Sequence, residues 1–312
     1  MGGNDQMIYT ITLNPAIDRL LYLEEKMESR KTNRIRDVAY DIGGKGTHAS
    51  HVMSQLNVHH LALGFIGDEN DNKFKKLLKA KQIKDDFTVV RGQATRECYI
   101  IIDRHKTGTT MLTEKGMTIS EVDKHAFIEN LKLKVKQDDI VLIAGSLPIN
   151  FTLKDLRKLI EVLKEIGCFI ACDLSGEALK LAVEMAVDFI KPNEFELNEL
   201  NSTNENTIDY LKSLNNNIQY IVASLGEKGS YCVHDRKVYR VLPPKVKEVN
   251  DTGAGDCFVG AFLSGLNNKL SIQETLKLAS SCAASKVMHH DSSTFSLEDA
   301  LSMKEQVKIT EI

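Results

Sequence analysis

The sequence predicts an α/β fold, a three-layer sandwich in which helices cover both faces of a mostly parallel central sheet and a small β-sheet lid is added. Three observations predict it. Short apolar runs alternate with stretches of helical periodicity. Two segments interrupt that alternation with amphipathic strand patterns. The chain of 312 residues, 42% of them hydrophobic, can fill one large core without disulfide staples.

The apolar runs are IYTITL (8–13), LALGFIG (61–67), DIVLIAG (139–145), CFIACDL (168–174), VDFIKPN (187–193) and IQYIVASLG (218–226). Continuous apolar character fits strands buried on both faces. Between them, 71–81, 121–135, 153–166 and 207–214 carry apolar residues at spacings of three and four, the stripe of a helix packed on a sheet. The rhythm breaks at 19–40 and 87–113, where RECYIIID and TGTTML read as amphipathic strands around a loop. With no linker or repeat dividing the chain, these segments are expected to form the lid of a single domain spanning 7–312. The polar MGGNDQ (1–6) reads as a flexible leader.

Forty basic and 43 acidic residues give a formal charge of −3, which supplies no basic field for nucleic acid or an anionic membrane. Any phosphate site must be local. The six cysteines form no CxxC pair and read as reduced thiols of a cytoplasmic protein. No apolar run reaches the length of a membrane span.

The chemistry concentrates in VNDTGAGDCFVGAF (249–262), where a loop turns into an apolar helix. Gly253 and Gly255 allow the backbone around Ala254 to approach a ligand closely. Amides that open a helix have no partner inside it, and the dipole adds positive charge, so an anion such as phosphate is the natural guest. Asp256 in that setting is either repelled by such a ligand or placed to accept a proton from an attacking hydroxyl. The plainer alternative makes Asp251 and Thr252 turn and cap residues only. A Rossmann loop fits less well, because GAGDCF lacks the third glycine of GxGxxG.

Four separated pieces in order, TLNPAID (12–18), DIGGKG (41–46), IKPNEFEL (190–197) and NDTGAGDCFVGAF (250–262), with GSLP (145–148) and ASLGEKGSY (223–231) between them, resemble the pfkB (ribokinase-like) family of carbohydrate kinases. TLNPAID is most similar to its branch of 1-phosphofructokinases and tagatose-6-phosphate kinases. The resemblance implies a ribokinase-like fold and ATP-dependent phosphorylation of a ketohexose monophosphate, with fructose 1-phosphate the first candidate and tagatose 6-phosphate the alternative. It implies that Asp256 is the base and that the amides from Gly253 to Asp256 hold the transferred phosphoryl group. Ser224, Gly226 and Gly229 would line the nucleotide site, with Asn193, Gly253 and Gly255. Asp18, Gly43, Gly44, Lys45 and His48 would receive the sugar, and Arg96 its existing phosphate, which a planar guanidinium suits. Asn193 and Glu196, three apart on a helix, would hold Mg2+. Taken alone, Asn193 also reads as a helix cap with Glu196 facing solvent. A homodimer through the lid is a further implication.

Two departures stand out. His48 occupies the place where the family usually has asparagine, and a contact to substrate phosphate or packing on its own helix are equal readings for it. The segment CAASKVMHHDSSTF (282–295) lacks the family's usual Thr-Gly close, which leaves adenine contacts and any monovalent-cation site unassigned. A ribose or nucleoside kinase is a more distant reading, and a non-catalytic sugar-phosphate sensor comes from another class. The pairs His59-His60 and His289-His290 read as surface residues rather than metal ligands, since adjacent side chains point apart.

Overall fold

The computed structural model describes residues 6–103, 109–201 and 205–312. Most of the leader (1–5) and part of the second lid segment (104–108) lie outside the described residues.

In chain order the elements are β1 (Ile8–Thr12), β2 (Ala16–Leu23), β3 (Ile35–Gly43), α1 (Lys45–Gln55), β4 (His60–Gly67), α2 (Asp71–Ala80), β5 (Thr88–Val90), β6 (Arg96–Ile102), β7 (Thr109–Thr113), α3 (Glu121–Lys134), β8 (Ile140–Ala144) and α4 (Leu153–Ile166). There follow β9 (Phe169–Asp173), α5 (Gly176–Glu184), β10 (Phe189–Ile190), α6 (Glu194–Leu200), α7 (Thr207–Leu214), β11 (Tyr220–Ser224), β12 (Ser230–His234), β13 (Lys237–Leu242), α8 (Ala254–Asn267), α9 (Ile272–Val287), α10 (Leu297–Met303) and β14 (Lys308–Glu311). The predicted strands and helices recur with ends shifted by a few residues. Only Phe189 and Ile190 of the run VDFIKPN pair as a strand.

The central sheet has ten strands in the order β14-β13-β12-β11-β10-β9-β8-β1-β4-β5. Pairing is parallel from β5 to β11 and antiparallel from β11 to β14. Period-two alternation sends Tyr9, Ile11, Val141 and Ile143 into one core with α3, α4, α5 and α7. Ile8, Ile140, Leu142 and Ala144 go to the other, with α1, α8, α9 and α10. This is the three-layer sandwich. Capping boxes fix the starts of two outer helices, Ser120 with Asp123 on α3 and Thr152 with Asp155 on α4.

A second sheet of four strands runs β3-β2-β6-β7. Its strands reach from Ala16 and back to Gly43, beyond the expected 19–40, so the lid grows straight out of the TLNPAID and DIGGKG segments. Part of 87–113 belongs elsewhere: Thr88–Val90 pairs in parallel with β4 at the edge of the main sheet. One tip of the lid returns to the body, where the hydroxyl of Thr109 lies 3.3 Å from that of Thr252.

Candidate functional site

The predicted segments gather along the end of the parallel sheet where the strands finish, the usual ligand edge of an open α/β sheet. β1 leads to Asn14 and Pro15, β9 ends on Asp173, β10 leads to Lys191 and Asn193, and β11 ends on Ser224. Against this edge stands the start of α8.

Gly253 caps α8 in the left-handed region at φ 82°, and a Cβ there would lie 1.9 Å from the carbonyl oxygen of Ser292. Only glycine satisfies both conditions. The Ala254 amide turns back to the Asp251 carbonyl at 3.1 Å, and the helical ladder opens with the Cys257 amide donating to the Gly253 carbonyl at 2.9 Å. The amides of Gly255 and Asp256 have no acceptor among the described residues. Ala254 is therefore the weaker contributor to the expected row of donors.

Asp256 is buried, and its Oδ2 lies 2.7 Å from Nδ1 of His48. Nε2 of the same ring is 3.0 Å from the Ile42 carbonyl and 3.8 Å from Oδ2 of Asp18. Both ring nitrogens are thus engaged by protein, and the ring does more than pack on its own helix. Burial opposes charge on His48, but the hydrogen bond and charge of Asp256, helped by Asp18 and Asp41, push it up to about 9. Burial likewise opposes charge on Asp256, and the bond from His48 with the cations His48, Lys45 and Lys191 holds it below the usual carboxylate range.

Lys45 reaches Oδ1 of Asp173 at 3.1 Å, and Lys191, only 6% exposed, lies 3.7 Å from the same oxygen. A Cβ on Gly255 would sit 3.1 Å from Nζ of Lys191. The glycine thus admits a buried ammonium against the mouth of α8. Lys191 and Asp173 were missed by the sequence reading, although a lone lysine closing the apolar run DFI was a usable signal. Burial disfavours charge on Lys45, yet Asp173, Asp256 and Glu196 raise its pKa.

Asp18 is pushed up to about 6 by burial, against the lowering effects of His48 and the Ser292 hydroxyl, which donates to Oδ2 at 2.6 Å. Ser293 donates to Asp41 at 2.6 Å, and Lys81 bridges Asp41 and the Thr294 hydroxyl, both at 3.2 Å. The unusual DSSTF segment thus buttresses the carboxylates of the small sheet. Gly43 leaves room for Asp18, since a Cβ would lie 2.1 Å from its Oδ1, and Gly44 opens α1 at φ 112°.

Arg96 lies next to this cluster, but its guanidinium donates to the carbonyls of Asn14 at 3.0 Å, Glu114 at 3.1 Å and Pro15 at 3.4 Å. Two of its five N–H groups are spent on the loop after β1 and one on the residue that follows β7, which leaves two without an acceptor among the described residues. Beside it Oδ1 of Asn14 is buried without a partner among the described residues, a second polar atom that sequence reading did not single out.

Asn193 and Glu196 form a reciprocal capping box on α6, each side chain accepting from the other's amide at 2.9 Å. The cap reading is therefore right for Asn193. Glu196 does not face solvent, however; it is buried, and its second carboxylate oxygen has no hydrogen-bond partner among the described residues. Ser224 joins this corner through a bridge to Asn193, and Gly226 and Gly229 bracket the turn that follows. Among the described residues no three acidic, His or Cys side chains cluster as a metal cage. A hard cation that keeps most of its waters needs none, and the spare oxygen of Glu196 fits one.

The pfkB family carbohydrate kinase pattern matches residues 11–300. The chain belongs to that family. It is 34% identical over 278 residues to the 1-phosphofructokinase of Bacillus subtilis strain 168, covering 87% of this chain and 89% of that one. A tagatose-6-phosphate kinase of Staphylococcus epidermidis is 30% identical over 314 residues, covering 98% of this chain and all of its own. The crystal structure of phosphofructokinase-2 from Escherichia coli in complex with substrates and products superposes with a TM-score of 0.90 at 23% identity, over 96% of this chain and 99% of that one. At that identity the likeness speaks for the fold. The described residues of this pfkB-family chain include no helix long and apolar enough to cross a membrane, and their six cysteines are free and buried.

Proposed function

We propose that this chain transfers the terminal phosphoryl group of ATP to the free primary hydroxyl of a ketohexose monophosphate, with fructose 1-phosphate as acceptor and fructose 1,6-bisphosphate as product. The observation that carries the reading is the buried Asp256 carboxylate at the mouth of α8, beside unpartnered amides and two buried or half-buried lysines. Phosphoryl transfer passes through a loose transition state, so positioning and charge neutralisation dominate. The amides of Gly255 and Asp256 meet the transferred group, Lys45 and Lys191 neutralise its charge, and Asp256 takes the acceptor proton. Asp18 orients the sugar hydroxyls, and the two spare N–H groups of Arg96 hold the existing phosphate. Glu196, with Asn193 behind it, would hold Mg2+, which neutralises the nucleotide phosphates. Ser224, Gly226 and Gly229 lie at the nucleotide end.

Tagatose 6-phosphate is the second reading, favoured by full-length similarity to a kinase of that name. The test is release of ADP with fructose 1-phosphate, tagatose 6-phosphate, fructose 6-phosphate and unphosphorylated sugars. Higher kcat/KM on an unphosphorylated sugar or a nucleoside would overturn the substrate class.

A further inference from the structure

His48 stands where both of its ring nitrogens meet groups that can only accept. Nδ1 faces a carboxylate oxygen of Asp256 at 2.7 Å and Nε2 faces the Ile42 carbonyl at 3.0 Å, with Oδ2 of Asp18 a further 3.8 Å contact. A carbonyl oxygen never donates, and an ionised carboxylate never does. For both contacts to be hydrogen bonds the ring must carry two protons. The one escape is a protonated Asp256, and that form is opposed by Lys45 and Lys191 as well as by the ring itself. The geometry therefore selects a buried imidazolium.

This ring couples parts of the site that the chain leaves far apart. It sits in the first turns of α1, its amide donating to the Gly44 carbonyl at 3.0 Å, and it touches α8 through Asp256, β2 through Asp18 and β3 through Ile42. Both oxygens of a free carboxylate can rotate past an incoming hydroxyl. Here Oδ2 is pinned, and Oδ1 is left without a partner among the described residues.

We propose that His48, as an imidazolium, is the positioning residue that holds Asp256 by Oδ2, presents Oδ1 to the acceptor hydroxyl, and ties the base to the acceptor-binding carboxylate Asp18. The proposal rests on the kinase reading above. An asparagine at this place can donate to Asp256 through its amide nitrogen, but it carries no charge and does not titrate. His48 thus makes the alignment of the base depend on pH, which asparagine would not.

The charged and titratable groups around the ring set the sense of that dependence. Asp256 faces it from α8, Asp18 from β2 and Asp41 from β3, and all three favour the charged ring. Lys45 and His51 share α1 with it, Lys81 follows α2 beside Asp41, and Lys191 stands beside Asp256. Burial opposes the charge, yet the acids prevail and the ring keeps its proton up to about pH 9. Above that value one of the two anchoring bonds must be lost, and turnover should fall.

The test combines nitrogen-15 NMR of the histidine rings in the full chain with pH profiles of kcat. At pH 7.5 the His48 ring, assigned by loss of its signals in His48→Asn, should show both nitrogens protonated, and it should titrate at a lower pH in Asp256→Asn. Wild type should lose turnover above about pH 9. His48→Asn should stay within about tenfold of the wild-type kcat and lack that limb, while His48→Leu, which cannot hold the carboxylate, should fall about a hundredfold. A neutral ring at pH 7.5 overturns the proposal, and so does an unchanged alkaline limb in His48→Asn. Absence of turnover on every phosphosugar sinks the kinase reading and the positioning role with it, while the titration still decides the charge of the pair. Should His48→Leu fail to fold, His48→Asn and Asp256→Asn carry the decision.

Discussion

As the proposed base, Asp256 meets two conflicting demands: a base gains from proton affinity, and a carboxylate beside a phosphate must be screened. The neighbours favour screening, because His48, Lys45 and Lys191 lower its proton affinity. In a loose transition state that exchange is favourable, since charge neutralisation matters more than deprotonation. Asp256→Asn should lower kcat by about a hundred- to ten-thousandfold with a smaller change in acceptor KM, read in a coupled ADP assay. Asp18 supplies a pH signature on the acid side. Its folded pKa of about 6 is raised by burial, so the carboxylate proposed to orient the sugar forms as pH rises through 6, and kcat/KM for the acceptor should rise with it. Asp18→Asn should remove that limb. For stability the signs follow from linkage. His48, raised from 6.5 to about 9, contributes stability that is fully present below about pH 6.5 and lost as pH rises through 9. Thermal melts from pH 7 to 10 should therefore fall more steeply for wild type than for His48→Asn. At the opposite corner, Glu196→Gln should raise the Mg2+ concentration needed for half-maximal rate while leaving the capping box able to form, since Gln also caps.

Among the elements, α8 is set at its start and at its middle by close approach. Its first turn needs Gly253 at φ 82°, and its middle passes so near α1 that a Cβ on Gly260 would lie 2.7 Å from the Ala49 carbonyl oxygen. Gly253→Ala should cost about a hundred- to a thousandfold in kcat, as when one preorganised donor is lost, together with about 1–3 kcal/mol of backbone strain. Chemical denaturation and the coupled assay read the two separately. The helix was legible because glycines, an acid and an apolar run follow one another locally. The parallel strands were legible because burial on both faces makes them continuously apolar. The hairpin from β12 to β13 was not: its turn uses Asp235 and Arg236 at φ 49° and 63°, and Arg236 is not a residue that announces such a turn. Nor could spacing reveal that Ser292 and Ser293 brace Asp18 and Asp41, or that Asn14 lies beside Arg96. Those contacts join residues up to 274 positions apart, and no local pattern carries them. Arg96 was found, but its ties to three backbone carbonyls depend on where the loop after β1 and the chain after β7 turn.

For the whole molecule, residues 7–312 are proposed as one cooperative unit, because both helical layers pack on a single sheet and the lid strands continue its loops. One calorimetric transition should account for unfolding, apart from any step due to subunit dissociation. The small sheet leaves Ile35, Val38, Met111 and Leu112 exposed, the last at 55%. Such a patch on a sheet suits a second copy of the same chain, and a homodimer through the lid is proposed on that ground. Sedimentation at micromolar protein should give twice the chain mass of 34.9 kDa, and Val38→Asp with Leu112→Asp should shift it to the monomer. The most direct test of the central claim compares wild type and Asp256→Asn for ADP formed with fructose 1-phosphate at saturating Mg-ATP. A kinase built on Asp256 gives robust, acceptor-dependent turnover that drops at least a hundredfold in the folded variant. Equal rates in the two proteins, or ADP release indifferent to the phosphosugar, would contradict it.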